Sequence, residues 1–253
     1  NNYLYVDKNA AESIYEYFYE QFNYAEIPSH SRIIVEHYND EKNKRKYVVF
    51  HTLYGRRVND CLSRAVAFAI ARTQHRDVEI GINDNGFYVA SDKSANVLQA
   101  FNLIKSKEMR KVMDMAIEQT EILKRRFRHC ASRAMMILRS YKGHEKRVGR
   151  QQVSSMILLN AVKRINPNFC ILKEARREVL EDLMDIENAQ KVIDGIEQKK
   201  ILVKEIHTSL PSPFAFNLIL QGFTDLMKIE DKVEFVRRMH EQVMAKIKVE
   251  SKN

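Results

Sequence analysis

The stretch RIIVEHYNDEKNKRKYVVFHTLYGRRVNDCLSRAVAFAIAR, residues 32–72, decides the fold. The runs 32–38 and 46–53 are dense in β-branched and aromatic residues, and the polar NDEKNKR between them suits a turn, so the two read as an antiparallel hairpin. From 58 to 72 the period changes. Leu62, Val66, Ala69 and Ile70 fall on one helical stripe, with Asn59 as N-cap and Asp60 four residues before Arg64. A helix with one apolar stripe beside a hairpin predicts that the helix covers the sheet.

Toward the N-terminus, residues 10–22 place Ile14, Tyr17, Phe18 and Phe22 at helical spacing, and Pro28 closes the connection to the hairpin. Toward the C-terminus, DVEIGI and FYVA within 77–90 flank NDNG, whose Asn-Gly signals a tight turn and a second hairpin. Past residue 96 the helical period dominates. A long helix is expected over 108–140, with Leu123, Phe127, Cys130, Ala131, Ala134, Ile137 and Leu138 on one face and Arg126, His129 and Arg133 on a neighbouring strip. YKGHEKRVGR at 141–150 has two glycines and a basic middle and reads as a loop; a helix over 151–165 follows, ended by Asn166-Pro167. Further helices are expected at 171–183, 186–198 and 231–247, and KILVKEIHTSLPSPF at 200–214 reads as a strand entering a turn at Pro211 and Pro213. The class is α+β: an antiparallel sheet of two hairpins packed with helices, followed by a mostly helical half. Two divisions fit, an α+β subdomain over 1–95 joined to a mainly helical one over 96–253, or one continuous domain.

The net charge of +9 is concentrated. Residues 121–150 hold ten Lys and Arg against Glu121 and Glu145, a local excess of eight. Such a cluster is the footprint of a protein that neutralises phosphates and releases their counterions, and it is also what a solvated helix face looks like; the lack of balancing acids favours the first. With 45% hydrophobic residues, 7 Gly and 4 Pro, the chain is neither disordered nor fibrous. No apolar run approaches the roughly 20 residues that span a bilayer, and NNYLYVDKN at the start lacks a secretory signal, so no membrane partner and a cytoplasmic setting are expected. The chain starts at Asn1 without an initiator Met, as a fragment would. Cys61, Cys130 and Cys170 lie far apart without a CxxC pair, which points to reduced thiols.

Catalytic constellations are sparse. None of the seven glycines is followed by Lys, so GxxxxGK[ST], the backbone cradle for ATP phosphates, does not occur. The histidines are scattered singly, and His129 and Cys130, adjacent on a helix, point about 100° apart, so no metal site is expected. Glu181, Asp182 and Asp185, with Glu187 beyond, form one acidic cluster. It fits a metal for nuclease chemistry, or, more simply, an N-cap with acids in the first helical turn.

The strings HTLYGRRVNDCLSRAVAFAIA (51–71), VEIGINDNGFYV (78–89), LKRRFRHCASRAMMILRSYKG (123–143), RVGRQQVSSMILL (147–159) and PSPFAFNLIL (211–220) together resemble the DEAD/H-associated region of Lhr-type ("large helicase-related") ATP-dependent DNA helicases, over essentially the whole chain. The resemblance implies a nucleic-acid-binding accessory region with no catalytic site of its own. ATP and Mg²⁺ would then be bound by motor domains outside this chain. The partners it implies are single-stranded DNA and the motor and winged-helix domains, and the setting DNA repair; within this archaeal and bacterial family, the Lys-rich, Trp-free composition suits an archaeal member. Candidate contacts are Arg56 and Arg57, after Gly55 at a helix N-terminus, where phosphates bind and where arginines also pair with acids. Arg125, Arg126, Arg128 and Arg133 are expected to divide between helix packing and DNA or motor domains. Lys146, Arg147 and Arg150, with Gln151 and Gln152, are the leading candidates for touching a strand. Phe214 suits base stacking or, more simply, the core. An interaction module docking an acidic protein remains the rival reading, to be separated by salt-dependent affinity for DNA.

Overall fold

β1 (Arg32–Asp40) and β2 (Arg45–His51) pair antiparallel with Val35 opposite Phe50, as the two β-prone runs require. The computed structural model that shows this describes residues 5–40, 44–91, 95–138, 140–145, 147–222, 237 and 239–247. The second hairpin, β3 (Glu79–Asn83) with β4 (Gly86–Ser91), joins through β4 to β2. The 200–214 strand is present as β7 (Leu202–Thr208). It adds to the sheet as a fifth strand, parallel to β1, in the order β3-β4-β2-β1-β7. The sheet is therefore mixed, closed on its β1 side by the back half of the chain.

Period two decides which side chains face which layer. Ile33, Val35, Val48, Phe50, Phe87 and Val89 point into the larger core, where Phe50 and Phe87 stack with centroids 4.5 Å apart. Tyr38, Tyr47, Val49, Tyr88 and Ala90 point to the other face, against Ala215, Leu218 and Ile219 of α9 (Pro213–Gly222). Helix α1 (Lys8–Tyr24) lies on α9, with Phe214 packed between Tyr17 at 4.9 Å and Phe18 at 5.2 Å, so the aromatic weighed for base stacking is used in packing. The larger core runs from the sheet through α2 (Arg56–Gln74), α3 (Val97–Leu103), α4 (Met109–Ile117), α5 (Glu121–Arg133), α7 (Cys170–Arg177) and α8 (Ile186–Glu197), one cluster of buried side chains from Ile33 to Ile193.

Three local expectations change. The helix expected over 108–140 is two helices, because Thr120 accepts a hydrogen bond from Leu123 N and starts α5 afresh with Glu121 in its first turn. It also ends early: Met135 takes φ 57°, and Met136 and Ile137 donate back to the Ala131 carbonyl. The 141–150 loop is largely ordered. β5 (Ser140–Tyr141) and β6 (His144–Glu145) form a hairpin whose Lys142 and Gly143 have φ of 49° and 76°, the left-handed pair that a two-residue turn demands. Helix α6 (Val148–Ile165) then begins three residues earlier than expected, Gly149 being cheap in a first turn whose N–H groups lack helical partners anyway. Asn59 is not a cap. α2 starts after Gly55, which takes φ 84°, and Asn59 is buried one turn in. Its Nδ2 donates to the carbonyls of Thr52 (3.3 Å), Asn83 (3.0 Å) and Asp84 (3.1 Å), and its Oδ1 accepts from Thr52 Oγ1 (2.8 Å). Of the helix expected at 231–247, residues 239–247 are helical; 231–236, 238, Arg139 and Lys146 lie outside the described residues.

A second buried polar centre is Glu36 on β1, fully enclosed. Its carboxylate accepts from His51 Nε2 (2.8 Å), Thr208 Oγ1 (2.9 Å), Ser212 N (2.7 Å) and Ser212 Oγ (2.6 Å). Burial alone would push its pKa up; the bond and charge of His51 and the two bonds from Ser212 outweigh that and hold it below the ordinary value. Cys61, Cys130 and Cys170 are free thiols, and burial pushes the Cys61 thiol up to about 12, keeping it neutral and inert.

Candidate nucleic-acid interface

Helix α5 carries the charge, and its period sorts the arginines. Leu123, Phe127, Cys130 and Ala131 are buried. That leaves Arg126 and Arg133, seven residues apart, on one flank and Arg125 and Arg128, three apart, on the other. The first pair reaches a buried acid, Arg126 half-buried and Arg133 exposed. Glu178, 4% exposed at the start of a π-helical turn (Glu178–Leu183), is hydrogen-bonded by Arg133, while Arg126 Nη1 approaches its other oxygen at 3.6 Å. A buried carboxylate must be paired or give up its charge, so these two guanidiniums are spent on the fold.

The second pair turns outward. Arg125 and Arg128, with Lys124 and the acidic Glu121, line a cleft of about 190 Å³ closed on the far side by Gln152, Ser155 and Met156 of α6. Lys124 is held by Glu121 at 2.6 Å. Arg125 and Arg128 make no ion pair with any described residue. Arg147 occupies the N-cap position of α6 and Arg150 its first turn, both exposed, so their charge stands with the unpaired N–H groups of that helix end. Gln151 is half-buried beside them. Val153, Met156 and Ile157 are exposed on α6, an apolar strip next to the cationic cleft.

The structure does not bring Arg56 and Arg57 to this place. Arg57 donates to the main-chain carbonyls of Glu181 and Met184, tying α2 to the π-helical turn. The N–H of Arg56 is taken by the Asp84 carboxylate at 3.3 Å, so the helix end read as a phosphate site already faces an anion. The acidic cluster is likewise engaged. Glu181 pairs with Arg110 (2.6 Å) and Arg177 (3.7 Å), Asp182 with Arg177 (3.2 Å), and Asp185 caps α8 by accepting from Asn188 N (3.1 Å) and Nδ2 (2.7 Å). Asp185→Ala is therefore expected to cost about 1 kcal/mol in urea unfolding, the usual worth of a cap; a loss beyond about 3 kcal/mol would point to more than capping. Sequence reasoning missed Glu178 and Glu118, the latter gathering Lys163 (2.9 Å) and Arg176 (3.0 Å), because their partners lie 45 to 58 residues away.

The chain is thus a helix-clad mixed sheet with a cationic helix pair on its flank. The sequence profile described as DEAD/H associated matches residues 27–215, and the chain belongs to that family. Among its relatives, the ATP-dependent helicase Lhr-Core of Methanothermobacter thermautotrophicus is 53% identical over 247 residues, covering 98% of this chain and 28% of that protein. The Lhr-Core helicase of Saccharolobus solfataricus is 41% identical, covering 94% and 28%. The solved structure of Mycobacterium smegmatis helicase Lhr bound to ssDNA and AMP-PNP is similar at a TM-score of 0.74 and 27% identity, over 83% of this chain and 27% of that one. The chain thus spans little more than a quarter of these relatives.

Proposed function

We propose that this chain is the part of an Lhr-type, ATP-dependent DNA repair helicase that holds single-stranded DNA by its backbone. In this reading ATP and Mg²⁺ are handled by motor domains outside the chain, in the cytoplasm of an archaeal cell, and the halves 1–95 and 96–253 work as one body. The observation that carries it is the α5–α6 cleft, where Arg125 and Arg128 stand beside Gln152 without an acidic partner among the described residues, on a helix pair whose α6 N-terminus carries Arg147 and Arg150. Guanidinium forks and helix-end N–H groups suit phosphate oxygens, and such contacts position a strand without reading bases. The binding of ssDNA by the similar mycobacterial helicase supports the ligand class. The exposed Val153, Met156 and Ile157 are proposed to dock against motor or winged-helix domains.

The test is a salt series of affinities for unrelated single-stranded oligonucleotides. Arg125→Ala with Arg128→Ala is expected to weaken binding at least about tenfold, each lost charge-assisted bond being worth about 1.5–3 kcal/mol. The log–log salt slope should flatten by about 0.7 per lost contact. Arg126→Ala should instead lower stability, since it strips a partner from buried Glu178. Unchanged affinity and slope in the stably folded double variant would overturn the cleft assignment, and no oligonucleotide binding by the parent chain would favour protein docking.

A further inference from the structure

The eight histidines stand apart along the sequence, which is why no metal site is expected there. The fold changes that at one place. β1 and β7 run parallel with His37 and His207 as direct Cα partners, so two residues 170 positions apart leave the same face of the sheet on adjacent strands. Their rings stack with centroids 4.7 Å apart and 22° between planes. Glu205, two residues before His207, returns to that face, and its carboxylate accepts from His37 Nε2 at 3.0 Å. One ring nitrogen of each histidine and one carboxylate oxygen lie within 4.8 Å of one another.

We propose that His37, Glu205 and His207 bind one divalent first-row transition ion of the zinc type, clamping the edge strand β7 to β1. Ligand atoms around a tetrahedral ion with bonds of about 2.0–2.1 Å stand about 3.3 Å apart, so modest side-chain rotation converges these three. Two imidazoles and a carboxylate suit zinc, whereas Mg²⁺ and Ca²⁺ want oxygens throughout. Glu205 and His207 are exposed, giving an entry path and a fourth position for water. The consequence is mechanical. Among the described residues β7 has a strand neighbour on one side only, β1, and it leads to Thr208 and Ser212, which bind Glu36 on the opposite face. An ion on the His37 face would pin the same strand from the other side.

The test uses the tag-free chain, stripped with a chelator and titrated with Zn²⁺ by calorimetry and with Co²⁺ by visible absorption. One equivalent of Zn²⁺ is expected to bind saturably, to displace Co²⁺ from a tetrahedral-type spectrum, and to slow amide exchange over residues 202–208. His207→Ala, at an exposed position, should weaken binding by at least about a hundredfold, because outer-shell changes alone cost 10–100-fold. Glu205→Gln, which keeps the shape, should weaken it in the same direction. No saturable uptake by the parent chain, or uptake unchanged in both variants, overturns the site; uptake without protection of 202–208 overturns the clamp.

Discussion

Glu36→Ala is expected to lower the unfolding free energy by about 3–5 kcal/mol, because removing one partner of a buried ion pair leaves the rest of its network without an acceptor. The groups stranded are His51 Nε2, the Thr208 hydroxyl, and both the N–H and the hydroxyl of Ser212. Glu36→Gln keeps the volume but turns a donor toward donors, so it should cost less than Ala and more than a surface change. The sign of the pH dependence follows from the depressed pKa. The folded carboxyl takes its proton later than the unfolded one, whose value is about 4.3. The stabilisation is therefore complete above that value and lost as pH falls through the folded pKa. Urea titrations of parent and Glu36→Gln from pH 7 to pH 3 should converge as the acid limb is reached; curves that stay parallel would mean that Glu36 is not ionised in the fold.

Asn59→Asp should be comparably damaging, and its deficit should also shrink on acidification, here because the variant gains a donor and not because the parent loses an ion pair. The substitution is isosteric, so no cavity confuses the result. It replaces the amide that serves the carbonyls of Thr52, Asn83 and Asp84 with an acceptor facing acceptors. A loss of about 3 kcal/mol or more is expected at neutral pH from the stranded carbonyls and the new buried charge. Protonation restores one donor, so the deficit relative to the parent should shrink on acidification. A deficit independent of pH, or below about 1 kcal/mol, would show that these carbonyls find other partners. The reach of Asn59 explains the size of the effect, since it joins the end of β2 and the β3–β4 turn to the first turns of α2.

Much of this architecture is legible in sequence because local rules and tertiary packing agree. The β1–β2 and β3–β4 hairpins and α2 carry their own period, and the buried face of α5 is readable in Leu123, Phe127, Cys130 and Ala131. The break at Thr120 had a local signal, a capping residue followed by an acid, hidden within a longer helical period. β7 was readable as a strand but not as a neighbour of β1, since nothing in LVKEIHT specifies its partner. The charge excess of 121–150 was visible, but its division was not. Arg126 and Arg133 differ from Arg125 and Arg128 only through Glu178, 45 residues beyond Arg133. Asn59 reads as a cap from its place before an apolar stripe; its real role depends on carbonyls just past the end of β2, at the end of β3 and in the β3–β4 turn.

The position of β7 also sets a clock. β1 is complete at Asp40, yet the strand that covers its free edge ends at Thr208, and everything between must be made first. At synthesis rates of about 5–20 residues per second, the edge of β1 stays open for roughly ten to thirty seconds after it leaves the ribosome. During that time Ile33, Ile34 and Val35 sit on a strand with unpaired N–H and C=O groups, the template on which chains stick to one another. Glu36, lacking Thr208 and Ser212, keeps a solvated charge in the middle of that strand until they arrive. A charge in the middle of an open strand is one of the ordinary means by which a sheet edge is kept from pairing with another chain.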